Sequence, residues 1–250
     1  METTSNERNK LVKLRLDQLL VARGLVMSRT QAQALIMAGE VSADGRILDK
    51  PGLMVDENLD FHLKTQPKYV SRAGDKLASV AEALKLDFAS KIVLDVGSST
   101  GGFTDYSLQN GAAKVYCVDV GTGQLAYKLR QDERAIVMEQ TDIRVAKLPE
   151  LADMAVMDVS FISLEKVLLP TAALIQPGAP IIAMAKPQFE AGKPLADKYR
   201  GVIPEGDERD EVLATLRSWM RQYFEIIDEH DSSVTGMEGN RERFFKLVAK

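Results

Sequence analysis

The stretch Lys91-Ile-Val-Leu-Asp95-Val-Gly97-Ser98-Ser99-Thr100-Gly101-Gly102 is an apolar run ending in a glycine-rich turn, and a second apolar run, residues 115–118, ends on Asp119. Short apolar runs bounded by turn residues read as buried strands of a parallel sheet, and glycines let the backbone after the first strand approach a ligand closely. An acid about 20 residues further on is placed to hydrogen-bond a ribose diol. The spacing is Gly-x-x-x-Gly-Gly rather than Gly-x-Gly-x-x-Gly, and Asp95 precedes the first glycine. A pyrophosphate requires backbone N–H groups and a helix N-terminus with no negative charge between, so Asp95 would repel it. S-adenosylmethionine has no phosphate and carries a sulfonium and an ammonium, which an acid tolerates or favours. The turn alone does not separate this reading from an ordinary strand-turn-helix of another doubly wound protein.

Alternating strands and helices continue downstream, in the pattern of a parallel sheet covered on both faces. The strands expected are 91–96, 114–119, 136–139, 154–158 and 181–185, with 224–228 and 244–248 as a closing antiparallel pair. The expected fold class is therefore α/β, a doubly wound, Rossmann-like sheet whose last strand is antiparallel, a pattern that suits the class I methyltransferase variant of that sheet. Before its first strand, Leu77, Val80, Ala81 and Leu84 mark one face of a helix. Residues 167–185 carry no charge, but Pro170, Pro177, Gly178 and Pro180 divide them into a short helix, a turn and a buried strand, which argues against a membrane span. Residues 191–206, rich in Gly, Pro and charge, are expected to be a loop, either a plain surface connection or one that closes over a substrate.

The first part of the chain differs in character. Leu16, Leu19, Leu20 and Leu25 mark a short amphipathic helix with Gly24 at its exit. Ser28 is placed to cap a second helix carrying Ala32, Leu35, Ile36 and Ala38, which stops at Gly39. Val41, the turn Asp44-Gly45, Ile47 and residues 59–63 then read as short strands. The expected organisation is a flexible N-terminus, 1–13, a small α+β domain, 14–63, a linker, 64–70, and the sheet domain, 71–250.

Overall the chain is mildly acidic, with a formal net charge of −4, yet residues 8–50 hold eight basic and four acidic residues, a net +4. This concentration is either a solvated face or a phosphate-binding surface. Cys117 is the one cysteine and there are two histidines, so no disulfide framework and no metal site are expected. Residues 1–10 are polar with no apolar h-region, and the cytoplasm is the expected compartment.

Ligands of a parallel sheet gather beyond the carboxyl ends of its strands. Asp95, Asp119, Asp142, Asp158 and Lys186 follow the five expected strands in turn. Asp119 points to the ribose diol. Asp142 reads about equally as a contact to the adenine amino edge or as a plain loop acid or helix cap. Lys186 ends an apolar strand, so its stem lies in protein while its amine enters the cleft; with a second cation such as Lys76 nearby, its pKa would fall and it could act as a base. Glu242 opens the last strand.

Two resemblances follow. Arg15-Leu-Asp-Gln-Leu-Leu-Val-Ala-Arg23-Gly24-Leu-Val-Met-Ser28-Arg29, Ile36-Met-Ala-Gly39-Glu-Val41 and Asp44-Gly45 resemble the S4 RNA-binding domain, implying contacts to structured RNA through Lys13, Arg15, Arg23 and Arg29, with Arg72 added from the second domain. Ser71-Arg-Ala-Gly-Asp-Lys76, the turn 94–104, Val118-Asp119-Val120-Gly121, Asp158-Val-Ser-Phe-Ile-Ser, Lys186-Pro-Gln-Phe-Glu190 and Gly239-Asn240-Arg-Glu242 together resemble the TlyA family of ribosomal RNA cytidine 2′-O-methyltransferases, which joins an S4 domain to an FtsJ-like methyltransferase domain. That resemblance implies a Lys76, Asp158, Lys186, Glu242 tetrad around a ribose hydroxyl. It also implies an S-adenosylmethionine site built from Asp95, Gly97, Ser98, Ser99, Thr100, Gly101, Gly102, Phe103, Asp119, Val120, Asp142 and Asp158. The partner implied is ribosomal RNA or a ribosomal subunit, with a lean to the large one; no metal or membrane is expected, and the oligomeric state is not readable. The competing readings are a noncatalytic RNA-binding assembly factor and, disfavoured by the prolines in 167–185, a membrane-active haemolysin, a label family members often carry.

Overall fold

A computed structural model describes residues 13–26, 28–64, 67–236 and 239–250. The expected flexible N-terminus, apart from Lys13, lies outside the described residues, as do Thr65 and Gln66 of the expected linker. The chain separates into two compact units, divided between Pro67 and Lys68.

The first unit runs β1 (Lys13–Arg15), α1 (Leu16–Ala22), α2 (Arg29–Met37), β2 (Val41–Ala43), β3 (Arg46–Ile47), β4 (Met54–Asp56) and β5 (His62–Leu63). Ser28 Oγ accepts the N–H of Gln31 at 3.2 Å and caps α2, while Gly39, at φ +71°, ends it. Asp44 and Gly45, both left-handed, form the tight turn between β2 and β3. Leu16, Leu20, Ile36 and Val41 are fully buried at the centre of this unit's own core. The antiparallel pair β1–β4 was not expected, because strands of three residues are too short to display an alternating pattern.

The second unit contains α3 (Arg72–Ala81), β6 (Ile92–Val96), α4 (Gly102–Gln109), β7 (Lys114–Val118), α5 (Tyr127–Arg130), β8 (Ala135–Met138) and β9 (Met154–Met157). It continues with α6 (Leu168–Ala172), β10 (Pro180–Ala185), α7 (Pro187–Glu190), α8 (Gly192–Lys198), α9 (Asp207–Tyr223), β11 (Phe224–Asp231) and β12 (Arg243–Ala249). One seven-stranded sheet has the order β11-β12-β10-β9-β6-β7-β8, with β12 antiparallel to both neighbours and β6 to β10 mutually parallel. These strands read as continuous apolar runs because both faces are covered: Leu94, Ala155, Ile181 and Ala183 pack with Leu213, Leu216 and Met220 of α9 on one face. On the other, Phe103 of α4 packs against Phe244 of β12 at 6.0 Å. The strand order turns back at β6, whose neighbours β7 and β9 lead the chain to opposite sides, opening a crevice at the carboxyl ends.

Residues 191–206 are not the plain loop expected. They contain α8, because Pro194 falls in that helix's first turn, where a missing N–H costs no hydrogen bond. Pro170 is tolerated in the five-residue α6 for the same reason.

Candidate active site

The connection from β6 to α4 is shaped by left-handed residues: Gly97 at φ +79°, Ser99 at +46° and Gly101 at +94°. A Cβ on Gly97 would lie 2.8 Å from the carbonyl oxygen of Asp158, so only glycine lets this turn press against the end of β9. Asp119, at the end of β7, accepts the N–H of Ser99 at 2.8 Å and that of Gly121 at 2.7 Å, which fastens the turn to the second strand. Beneath it, Asp95 is wholly buried. Its Oδ2 accepts from Thr104 Oγ1 at 2.6 Å, whereas its Oδ1 and the buried Oγ of Ser98 have no hydrogen-bond partner. Burial pushes the Asp95 carboxyl up to about 7, with the negative charges of Asp158 and Asp119 adding and the Thr104 bond opposing. Asp95, Gly97, Ser98 and Ser99, with Ser71, Thr100 and Phe103, line a cavity of about 90 Å³.

A larger cavity of about 420 Å³ shares Gly97, Ser99 and Asp158 with the first and extends past Asp119 and Val120 to Asp142 and Phe161. Asp142 lines it, but its carboxylate is held by the guanidinium of Arg144 at 3.0 Å, which depresses its pKa to about 2. Of the two readings of Asp142, the structure supplies a partner of its own that any adenine contact would have to share.

Beyond the cavities stand the lysines. Lys186 Nζ lies 2.6 Å from Asp158 Oδ1, angled as an ion pair rather than a hydrogen bond, and donates to Ser160 Oγ at 2.8 Å. Lys76 Nζ donates to Glu242 Oε1 at 2.6 Å, and Glu242 Oε2 is buried without a partner. The two pairs are neighbours by register: Ala185 pairs with Arg243 across β10 and β12, so Lys186 and Glu242 leave the sheet side by side. The side chains of Lys76 and Lys186 are each 12% exposed, which keeps both pairs poorly screened by water. Each lysine meets a carboxylate of its own, Lys186 that of Asp158 and Lys76 that of Glu242, a compensation that two ammonium groups in one cleft require.

Three further groups have no role that the sequence assigns. Ser160 stands inside a motif without a function of its own there. Phe161 is 91% exposed, sits at φ +63° and stacks on Phe189 at 5.0 Å. A bulky residue in the left-handed region is strained, so the loop holds this ring outward at a cost. Glu190 accepts from Ser163 Oγ and from the N–H of Leu164. Nothing in residue type alone marks Ser160 or Glu190, because their partners lie 26 or more residues away.

The basic residues expected to meet RNA are occupied to differing degrees. Lys13 is exposed on β1. Arg15 and Arg29 both reach the fully buried Asp17 at 3.0 Å, joined there by Gln33. A buried carboxylate demands such donors, and they hold Asp17 well below the usual carboxylate range. Arg23 donates to the carbonyl of Leu59 at 2.6 Å and lies over the ring of Phe61. Arg72 is exposed and donates to the carbonyl of Thr235 at 2.5 Å. Among the described residues, no helix is long and apolar enough to cross a membrane and no three His, Cys, Asp or Glu side chains gather as metal ligands.

Comparison with known proteins bears on this site. The FtsJ-like methyltransferase profile matches residues 69–248, and the S4 domain profile matches residues 14–60. The chain is 44% identical to a candidate rRNA methyltransferase, YqxC, of Bacillus subtilis (strain 168), over 94% of this chain and 85% of that protein. It is 39% identical to the 16S/23S rRNA (cytidine-2′-O)-methyltransferase TlyA of Mycobacterium tuberculosis, over 94% of this chain and 90% of that one. A solved structure of a candidate hemolysin from Streptococcus thermophilus superposes with a TM-score of 0.73 at 39% identity, covering 96% of this chain and 89% of that one.

Proposed function

The chain belongs to the FtsJ-like methyltransferase family and, within it, to the TlyA group, and from that premise we propose that it methylates the ribose 2′-hydroxyl of a cytidine in ribosomal RNA, using S-adenosylmethionine. The observation that carries the reading is the pair of lysine–carboxylate contacts, Lys186–Asp158 and Lys76–Glu242, standing beside the cavities at the glycine turn. When bound, S-adenosylmethionine supplies an electrophilic methyl on a positively charged sulfur. The site suits it, because Asp95 Oδ1 and Ser98 Oγ are buried polar atoms without partners, and a cationic amino-acid end satisfies them. Gly97, Ser99, Thr100 and Gly102 would hold that end, Asp119 the ribose diol, and Val120 with Ile143 the adenine face.

A ribose hydroxyl is a poor nucleophile, and the residues beyond the cavity position it and relieve it of its proton. Lys186 holds the 2′-oxygen, Asp158 and Ser160 fix the direction of its amine, and as the O–CH3 bond forms the ammonium passes one of its protons to the Asp158 carboxylate while taking the hydroxyl proton in its place. Lys76 and Glu242 steady the ribose from the neighbouring strand. Phe161 offers an exposed ring on which an unstacked base can lie, the usual means of holding a single nucleotide. The reaction then belongs in the cytoplasm, where ribosomes are assembled, and large-subunit RNA is the first substrate to test.

The experiment is methyl transfer from labelled cofactor to ribosomal subunits from cells lacking the protein, with the modified nucleotide mapped by its resistance to alkaline cleavage. Stoichiometric labelling at a cytidine 2′-oxygen is expected. Lys186→Ala should lower the rate by about 10²- to 10⁴-fold while cofactor affinity stays within about twofold. RNA binding without methyl transfer would return the noncatalytic reading, and a near-normal rate in Lys186→Ala would remove that lysine from the chemistry.

A further inference from the structure

We propose that Glu190 is a positioning residue for this reaction, holding the loop after β9 in register with Lys186; the inference rests on the ribose methylation proposed above. Lys186 and Glu190 lie at the two ends of one short turn. Pro187 fixes its first backbone angle, the N–H of Phe189 bonds the carbonyl of Lys186 at 2.9 Å, and that of Ala191 bonds the carbonyl of Pro187 at 2.9 Å. The turn has no slack, so where Glu190 is tied determines where Lys186 stands.

Glu190 is tied to the loop that carries the partners of Lys186. Its Oε2 accepts from Ser163 Oγ at 2.7 Å and its Oε1 accepts the N–H of Leu164 at 3.0 Å. That loop starts at Asp158, whose N–H bonds the carbonyl of Val96 at 3.0 Å, and ends at Leu164, which is buried in the core. Between these anchors lie Ser160, which receives Lys186, and Phe161, which stacks on Phe189. The two segments are thus joined at both ends, by Lys186 to Asp158 and Ser160, and by Glu190 to Ser163 and Leu164. Without Glu190 the N–H of Leu164 loses its acceptor, and the strained Phe161 backbone is freed to relax, carrying Ser160 away from the amine. A displacement of about 1 Å at a reacting group is enough to cost about 10²-fold in rate.

The test uses the full chain with undermethylated ribosomal subunits, measuring kcat and KM for RNA, cofactor affinity by calorimetry, and the melting temperature. Glu190→Ala is expected to lower kcat by at least about tenfold with RNA KM and cofactor Kd each within about threefold. Glu190→Gln keeps an acceptor for Leu164 and offers its amide to Ser163, whose hydroxyl can turn to accept, so it should recover kcat to within about threefold of the parent. Ser163→Ala removes one of the two bonds and serves if Glu190→Ala does not fold; a loss of about threefold in kcat at constant KM is expected. An unchanged kcat in Glu190→Ala, or in Ser163→Ala should Glu190→Ala not fold, overturns the proposal. So does a Glu190→Gln enzyme as slow as Glu190→Ala, or a parallel loss of cofactor affinity and melting temperature, which marks a purely structural cap. If the parent protein transfers no methyl to any ribosomal RNA, the ribose-methylation reading itself has failed, a result distinct from any of these.

Discussion

Asp95 combines full burial with one oxygen bonded to Thr104 and one bonded to nothing, and its carboxyl is pushed up to about 7. In the unfolded chain an aspartate titrates near 4, so between those values the folded protein holds a proton that the unfolded chain has lost. The stability tied to this residue is therefore complete below about pH 4 and lost as pH rises through 7, on the order of 4 kcal/mol for a shift of this size. Chemical-denaturation curves at intervals from pH 5 to pH 8 should show stability of the ligand-free protein falling with pH, and Asp95→Asn should flatten that dependence. A cationic ligand reverses the preference, since it favours the ionised carboxylate. Cofactor affinity should rise by up to about tenfold per pH unit below 7 and level off above it, with proton release detected by calorimetry in buffers of different ionisation heat. A pH-independent Kd would mean that Asp95 is ionised before the ligand arrives. Asp95, Asp119, Asp158, Lys186 and Glu242 were legible as candidates because each lies at the end or start of a strand, where a parallel sheet gathers its ligands, whereas Lys76, in α3, has no such mark. Ser160, Glu190 and Asn240 were not, since their importance lies in partners distant along the chain, as when buried Asn240 accepts the N–H of Ile203 and donates to the carbonyl of Gly201.

Among elements, the β6–α4 turn shows sequence and geometry in agreement at Gly97 and Gly101, while Ser99 takes a left-handed backbone without being glycine. Gly97 needs both its left-handed backbone and its missing side chain, because a Cβ at this position would meet, at 2.8 Å, the backbone carbonyl of Asp158, which cannot swing aside. Gly97→Ala should cost roughly 1–3 kcal/mol from backbone strain, lower the melting temperature by roughly 3–10 °C and weaken cofactor binding at least about tenfold. Gly123, at φ +66° with open space within 4 Å of where its Cβ would stand, is the matched comparison, and Gly123→Ala should show the strain without the loss of affinity. Equal effects on affinity in both variants would make the close approach to Asp158 irrelevant. Long apolar strands and capped helices were readable for the same reason as the turn: local chemistry and tertiary environment call for the same residues. The β1–β4 pair and α8 were not. The first is held by partners on another strand across some forty residues, and the second forms in a stretch whose Gly and Pro content argues locally for a loop.

At the scale of the whole molecule, residues 8–50 hold a net +4, but residues 1–67 together are neutral, with nine basic and nine acidic residues, so the chain's net −4 lies in residues 68–250, which carry the glycine turn and both lysine–carboxylate pairs. Each unit has a hydrophobic core of its own, centred on Leu16, Leu20 and Ile36 in the first and on the seven-stranded sheet in the second. On the proposed function, catalysis and cofactor binding would rest on residues 68–250, and the basic cluster of residues 8–50 would supply attraction for RNA. Arg15 and Arg29 spend part of their guanidinium capacity on Asp17 but keep 41% and 53% of their side chains exposed, enough to reach a phosphate as well. Protein binding to nucleic acid releases counterions, and the log–log slope of affinity against salt shrinks by about one for each phosphate contact removed. A chain of residues 68–250 alone should bind S-adenosylmethionine within about twofold of the full protein, show an RNA KM raised by at least about tenfold in moderate salt, and depend less steeply on salt. An RNA KM and salt slope equal to those of the full chain would place the RNA-binding surface on the methyltransferase unit, leaving the basic residues of the first unit as a solvated face.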